Sequence, residues 1–293
     1  MFIMRTPRFR FCHRWLPAIL LAPAVAGLLG AADSSPPLLE RAKKAFQAGQ
    51  REEAIRIATQ MIEADPKEPN NYFLRARFQE LSGHRELALA DYNTLLEKAP
   101  HATEVYYQRA VLLFLLGRIE ASVADFDKLA EAQPNNVPNF WQRGIALYYA
   151  GRYVDGRKQF ETHRTINPGD VENSAWHFLC VARQNGPAAA REQLLPVAGD
   201  ARIPMAEILE LFAGKGSAEK VLARVERTKN DPVAQIGQRL YAHLYLALYH
   251  EALGQDALRR EHLQKAVDTN LKNEYMWEVA RVHLELLKSG KLK

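Results

Sequence analysis

The sequence predicts an all-α protein built as a superhelix of helix-turn-helix repeats, each 34 residues long. Two series of residues support this prediction. Glycines and prolines each recur every 34 residues, at Gly49, Gly83, Gly117 and Gly151 and at Pro66, Pro100, Pro134 and Pro168. A glycine permits a sharp turn between two helices, and a proline ends a helix because it has no amide donor. Each unit is therefore expected to be a pair of short helices.

The period and the side chains within each unit are typical of the tetratricopeptide (TPR) repeat. Small residues at positions 8 and 20 of each unit let two helix backbones approach, and aromatic rings fill the remaining space. The clearest unit reads VPNFWQRGIALYYAGRYVDGRKQFETHRTINPGD, from Val137 to Asp170. We expect four repeats, at residues 35–68, 69–102, 103–136 and 137–170.

The register fails after Asp170. Residues 171–238 contain short amphipathic helices, interrupted at Gly186-Pro187, and we interpret them as an irregular helical section. The repeat pattern returns in residues 239–288, where we expect a TPR-like unit and a closing helix, followed by a tail at residues 289–293. The closing helix is expected to cover the exposed apolar end of the stack, as terminal units of repeat proteins do.

Residues 1–32 have the features of an export signal. Four arginines precede an apolar stretch from Trp15 to Leu29, and the small residues Gly30, Ala31 and Ala32 follow it. We expect cleavage after Ala32, a short linker at residues 33–36 and a soluble periplasmic product. The alternative is an uncleaved segment that anchors the protein in the inner membrane, although the apolar run is shorter than the ~20 residues that span a bilayer.

Removing this leader changes the charge and the cysteine count. The leader contains four of the 39 basic side chains and none of the 34 acidic ones, which leaves 35 basic against 34 acidic side chains. Nucleic-acid binding needs a dense basic surface, and we therefore do not expect it. Cys12 lies in the leader, so Cys180 is the single cysteine of the predicted mature chain and cannot form an intramolecular disulfide.

The candidate binding surface is the concave groove that the first helix of each TPR unit lines. Positions 5, 9, 12 and 13 of these helices are expected to face the groove, and the side chains at positions 5, 12 and 13 become aromatic toward the third and fourth repeats. Exposed aromatic side chains supply much of the binding energy at interfaces. The alternative is that these side chains pack against the chain's own C-terminal helices. The candidates are Phe73, Tyr107, Phe114, Trp141, Tyr148 and Tyr149.

A second periodic series consists of the arginines Arg41, Arg75, Arg109 and Arg143. Such a stripe could clamp a partner's carboxylate, because a guanidinium offers a planar fork of donors. However, Asp91 and Asp125 stand sixteen residues after Arg75 and Arg109, on the second helix of the same unit. We therefore favour ion pairs within the repeats.

The sequence offers little support for catalysis. His177 and Cys180 lie one helical turn apart, with Glu161 and His163 upstream. A zinc site needs three or four suitably placed ligands, and a cysteine among apolar residues is usually a buried small side chain. We find no phosphate-binding glycine loop and no serine nucleophile motif. We therefore predict no enzyme, no metal and no cofactor.

Beyond the repeat itself, the chain resembles the NlpI-type TPR lipoproteins of bacterial envelopes. The resemblance rests on WQRGIALYYAGRYVDGRKQF in the fourth repeat, on EILELFAGKGSAEKVL, and on the terminal HLYLALYHEALGQ and HLQKAV segments. It implies homodimers and an adaptor that delivers an envelope protease or peptidoglycan hydrolases to substrates. The chain differs in having no lipid-acceptor cysteine after its apolar run, where Leu29-Gly30-Ala31-Ala32 stands.

These observations predict a non-catalytic scaffold that binds other proteins or peptides in the cell envelope. The alternative is a chaperone-like groove for a peptide or small ligand, and an enzyme is the third possibility. Contact with a membrane is expected only through the leader, if that segment is not cleaved.

Overall fold

The computed structural model describes residues 35–228 and 231–292, and this part of the chain is helical and contains no strand. The predicted leader and its cleavage site lie outside the described residues. Within them, no helix combines the length and the apolar character needed to cross a membrane. The α-helices are α1 (Ser35–Gln47), α2 (Arg51–Ala64), α3 (Pro69–Leu81), α4 (Arg85–Lys98), α5 (Thr103–Leu115), α6 (Ile119–Ala132), α7 (Trp141–Tyr149), α8 (Tyr153–Arg164), α9 (Val171–Glu192), α10 (Met205–Phe212), α11 (Ala218–Glu226), α12 (Pro232–Ala252), α13 (Asp256–Asp268) and α14 (Tyr275–Lys288).

The helices α1 to α8 form four consecutive pairs, and a periodic glycine stands in the turn of each pair. The φ angles of these glycines are 77° at Gly49, 88° at Gly83, 68° at Gly117 and 72° at Gly151. Side chains with a Cβ rarely adopt this left-handed conformation, so the turn requires glycine. The superhelical repeat architecture predicted from the spacing is therefore confirmed.

The fourth repeat begins differently from the others. A 3-10 helix, Pro134–Asn139, replaces the first turns of its first helix, and α7 starts only at Trp141. Pro138 lies inside this segment. A proline disfavours α-helical conformation at the residue before it and donates no hydrogen bond, which explains the shorter α7.

The small residues of the fourth repeat allow close packing of its two helices. A Cβ atom on Gly144 would lie 2.6 Å from Cζ of Phe160, and one on Gly156 would lie 3.0 Å from the sulfur of Cys180. Real Cβ contacts are longer than the first of these distances. Glycine at these positions thus lets α7 and α8 approach each other and lets α9 approach α8, as the repeat pattern predicts.

The irregular section contains α9, α10 and α11. The chain leaves helical geometry inside α9 at Gly186, where φ is 84° and ψ is 165°, directly before Pro187. A TPR-like pair follows, consisting of α12 and α13 with Gly254 in the turn at a φ of 69°.

The last helix, α14, does more than cover the end of the stack. It packs against α5 and α12 and reaches back to the second repeat. Arg281 on α14 donates to the backbone oxygen of Leu115 at 2.5 Å, and Arg85 at the start of α4 forms an ion pair with Glu278 of α14. As a result, one continuous apolar core extends from Ala110 to Leu287, whereas two separate clusters serve the earlier repeats.

Candidate partner-binding surface

Three of the six predicted groove residues remain partly exposed. Phe73, Tyr107 and Trp141 occupy position 5 of three consecutive repeats, and each is partly buried. Each of these side chains is in contact with an aromatic ring, which belongs to the same repeat, to a neighbouring repeat or to α14. Examples are Tyr107 against Phe140 at a centroid distance of 6.2 Å and Phe73 against Tyr92 at 6.1 Å. We name Phe73, Tyr107 and Trp141 the position-5 row. Its role in binding a partner stays a prediction.

The other three predicted groove residues are buried. The exposed fractions are 0% for Phe114, 2% for Tyr148 and 9% for Tyr149. Tyr275 of α14 stacks on Phe114 at 6.1 Å, and the Tyr149 hydroxyl lies 2.9 Å from Nδ1 of His283 on α14. For these three side chains the alternative applies, and the expectation of an open wall is corrected: α14 and α9 cover the inner faces of the third and fourth repeats at these positions.

Tyr148 is covered by α9. Its ring meets Trp176 at a centroid distance of 5.5 Å in an edge-to-face arrangement, and burial raises its hydroxyl pKa well above the usual value. Such aromatic pairs favour edge-to-face geometry because the ring faces are negative and the edges positive. Tyr148 is thus a core residue of the junction between the repeats and the irregular section.

A group of buried polar side chains accompanies α14. Glu251 on α12 lies 3.9 Å from Arg183, 3.9 Å from Arg259 and 3.4 Å from Nε2 of His283. Burial raises the pKa of Glu251. Burial and the two nearby arginines lower the pKa of His283 to about 3, so this imidazole is neutral at physiological pH. A neutral histidine can exchange a hydrogen bond with Tyr149, which fixes α14 against α7.

A cleft of about 310 Å³ opens beside Tyr107, between α5, α6 and the 3-10 helix. Four side-chain amides and one carboxylate contribute to its lining. Asn139 donates to Asn136 at 2.6 Å and Asn136 to Gln133 at 3.2 Å. An amide has two donor hydrogens and an oxygen with two lone pairs, so the set retains hydrogen-bonding capacity for the backbone of an extended peptide. The lining residues are Glu104, Tyr107, Gln108, Leu129, Gln133, Asn136, Asn139 and Phe140. We call this cavity the amide cleft.

Sequence reasoning did not identify the amide cleft. Asn136 and Asn139 line it because the 3-10 helix replaces the start of an α-helix. Pro138 is the one residue in the sequence that indicates a 3-10 helix in place of the first α-helical turns. The repeat register alone assigns residue 137 to the start of an ordinary first helix.

The arginine series forms ion pairs within the repeats. Arg75 donates to both carboxylate oxygens of Asp91, at 2.8 and 2.7 Å, and Arg109 does the same to Asp125, at 2.6 and 2.8 Å. Both aspartates are buried. The structural interpretation of these two arginines is therefore confirmed.

The ion pair of the arginine series differs in the fourth repeat. Gln159 occupies the position at which the second and third repeats have an aspartate, sixteen residues after the arginine. Arg143 binds Asp127 of the preceding repeat at 2.6 Å as well as Gln159 at 3.1 Å.

The arginine of the first repeat has no aspartate at the corresponding position. Arg41 is exposed and the residue sixteen positions later is Ile57. Arg75, Arg109 and Arg143 all contact the second helix of the preceding repeat, through Thr59, Asn93 and Asp127.

The residues considered for catalysis occupy structural positions. Cys180 is buried, and burial raises the pKa of its thiol, which disfavours the reactive thiolate. His177 lies 3.3 Å from Glu161, while His163 contacts the backbone oxygen of Pro138 at 2.8 Å. Within the described part of the chain, no group of three or more histidine, cysteine or acidic side chains has a geometry suited to a metal ion.

Comparison with known proteins agrees with the repeat. The family model described as "Tetratricopeptide repeat" matches residues 103–136. The comparison with curated proteins gives no match.

Several solved structures share the fold. A tetratricopeptide repeat protein from Parabacteroides merdae is 17% identical, with a TM-score of 0.56, covering 84% of this chain and 97% of that chain. MamA from Desulfovibrio magneticus is 13% identical, with a TM-score of 0.51, covering 56% and 92%. The C-terminal part of a TPR repeat-containing protein from Cytophaga hutchinsonii is 14% identical, with a TM-score of 0.50, covering 78% and 94%. At these identities the likeness concerns the fold.

Proposed function

We propose that this chain, a TPR repeat protein in fold, is a non-catalytic scaffold that binds protein partners or peptides in the cell envelope. The observation that carries the proposal is the partly exposed position-5 row, whose middle member, Tyr107, lines the amide cleft. Aromatic side chains there supply apolar contact, and the amides supply hydrogen bonds to a peptide backbone. The inner wall is closed at Phe114 of the third repeat and at Tyr148 and Tyr149 of the fourth, so the proposed partner contacts the position-5 row, from Phe73 to the rim near Trp141.

The location in the envelope is the second part of the proposal. It is supported by the arginine-rich, apolar start of the sequence and by the resemblance to NlpI-type proteins. Recruiting a protease or a peptidoglycan hydrolase, and forming homodimers, are the roles that this resemblance implies.

A photo-crosslinking side chain at Glu104 tests the proposed surface in the native cell. Glu104 is exposed and lines the amide cleft, so we expect its replacement to leave the fold intact and to give an adduct with one partner. The matched control carries the same group at Leu87, which is 57% exposed on the second helix of its pair. The adduct is separated and its partner identified by mass spectrometry.

We expect an adduct from position 104 that disappears when Tyr107 is also changed to alanine, and none from position 87. Equal adducts from both positions would indicate non-specific proximity. The absence of any adduct from position 104 would contradict the proposed surface.

A further inference from the structure

A cavity of about 80 Å³ lies beside Trp141, where α7, α8, α9, α12 and α14 meet. Its lining combines aromatic rings with carboxyl groups. The aromatic members are Trp141, Phe160, Trp176, Tyr241 and Tyr275, and the acidic members are Asp170, Glu172 and Glu274. We call it the acidic aromatic pocket. The position-5 row therefore ends at a pocket whose composition differs from that of the amide cleft.

The carboxyl groups around this pocket outnumber the cations. Arg202 pairs with Asp170 at 3.0 Å, with Asp200 at 2.6 Å and with Glu172, so one guanidinium serves three carboxyl groups. His163 lies 3.8 Å from Asp170.

Glu274 stands apart from this network. Among the described residues it forms no ion pair, and at the start of α14 its side chain accepts no capping hydrogen bond. Partial burial raises its pKa. Burial also raises the pKa of Glu172 to about 7. The oxygens of Glu172 are already bound by Arg202 and Tyr245, so Glu274 is the carboxyl group whose desolvation a cation in the pocket would offset.

A buried amide provides independent evidence for a ligand. Asn173 is 4% exposed and lines the pocket. Its Nδ2 donates to the backbone oxygen of Phe160 at 3.0 Å, which fixes the orientation of the amide, while its Oδ1 has no hydrogen-bond partner. A buried acceptor without a donor is destabilising, so the pocket offers a place for an N–H group.

We propose that the acidic aromatic pocket receives the charged end of a lysine or arginine side chain from the protein partner. The inference rests on the proposed scaffold function and specifies the chemistry of the bound partner. Glu274 and Asn173 Oδ1 accept hydrogen bonds from the cation, and the aromatic rings that line the pocket attract it. The volume accommodates an ammonium with its adjacent methylene groups. Two of the lining residues, Asn167 and Tyr241, are exposed and partly exposed, respectively.

Nuclear magnetic resonance of the 15N-labelled protein tests this inference without any knowledge of the partner. The probe is N-acetyl-lysine methylamide, and its neutral counterpart carries an acetyl group on Nζ; N-acetyl-arginine methylamide is the second cationic probe. The indole signals of Trp141 and Trp176 report on the pocket. The indole of Trp277 donates to the backbone oxygen of Val267 at 2.8 Å and serves as an internal reference.

We expect both cationic probes to shift the Trp141 and Trp176 signals to saturation while Trp277 stays unchanged. The neutral counterpart should bind at least about tenfold more weakly, and Glu274→Gln should weaken the lysine probe by about tenfold, as for loss of a charged hydrogen bond. Glu285→Gln, on the exposed side of α14, is the matched control and should change nothing.

Shifts that do not saturate, or that are equal for the cationic and neutral probes, would overturn the inference and leave a pocket filled by water. The outcome is separable from that of the crosslinking experiment. If position 104 gives an adduct but the lysine probe does not shift the tryptophan signals, only the proposal that the pocket binds a cation is rejected. If the lysine probe shifts the tryptophan signals but position 104 gives no adduct, only the proposed partner-binding surface beside the amide cleft is rejected.

Discussion

Arg109→Leu is expected to lower the free energy of unfolding by about 3–5 kcal/mol, measured by urea denaturation at neutral pH. The guanidinium binds both oxygens of Asp125, whose side chain is only 5% exposed. Removing one member of such a pair leaves a buried charge without a partner, which costs far more than the pair contributes. The double variant Arg109→Leu/Asp125→Leu should therefore recover part of the loss.

The exposed pair of Arg118 with Glu86 provides the control. Its side chains are 48% and 62% exposed, so Arg118→Leu should cost less than about 1 kcal/mol. If Arg109 instead served to clamp a partner's carboxylate, Arg109→Leu would leave unfolding nearly unchanged and abolish the adduct from position 104. That result would reject the structural interpretation of the arginine series.

The second large effect is loss of stability in acid. His243 and His262 lie with their Nδ1 atoms 2.9 Å apart. Burial, aided by neighbouring cationic and histidine groups, lowers the pKa of each to about 4, and that of His283 to about 3, from an ordinary value of 6.5. Between pH 6.5 and these values the unfolded chain binds protons that the folded chain does not. The contribution of these histidines to stability is therefore complete above pH 6.5 and falls as the pH is lowered, by up to about 1.4 kcal/mol per pH unit for each histidine.

Two buried carboxyl groups act in the opposite direction. Burial raises the pKa of Glu172 to about 7 and also raises that of Glu251, so in the folded protein they bind protons above pH 4.5 that the unfolded chain has lost. They stabilise the fold as the pH falls toward 4.5 and offset part of the histidine effect. The steepest loss is thus expected below pH 4.5.

Urea denaturation at pH 7, 6, 5 and 4 measures this dependence. The variant His243→Gln/His262→Gln should have a slope shallower by up to about 1.4 kcal/mol per pH unit for each histidine removed. His84→Gln is the control, because His84 is exposed. An unchanged slope in the double variant would contradict the assignment of acid sensitivity to this pair.

Features that depend on short sequence separations could be predicted from the sequence. The glycine turns follow from a local backbone requirement, and the pairing of Arg75 with Asp91 and of Arg109 with Asp125 follows from a sixteen-residue spacing within one unit. Both are repeated, so the period itself supports them. The break at Gly186 likewise follows from the local Gly-Pro sequence.

The position of α14 could not be predicted in this way. Tyr149 and His283 are 134 residues apart, and Arg85 and Glu278 are 193 apart. An amphipathic pattern indicates that α14 has an apolar face but not which surface that face covers. For this reason Phe114, Tyr148 and Tyr149 satisfy the sequence criteria for a groove and yet lie in the core.

An NMR titration of the His283 ring, in the unaltered protein and in Tyr149→Phe, shows whether α14 fills the inner face of the fourth repeat and so leaves the position-5 row as the surface for a partner. With α14 in this place, we expect His283 to stay neutral down to about pH 4 and Tyr149→Phe to shift its ring signals. A His283 that titrates near its ordinary pKa of 6.5 and does not respond to Tyr149→Phe would mean that the groove is open, and would contradict the packing of α14 described above.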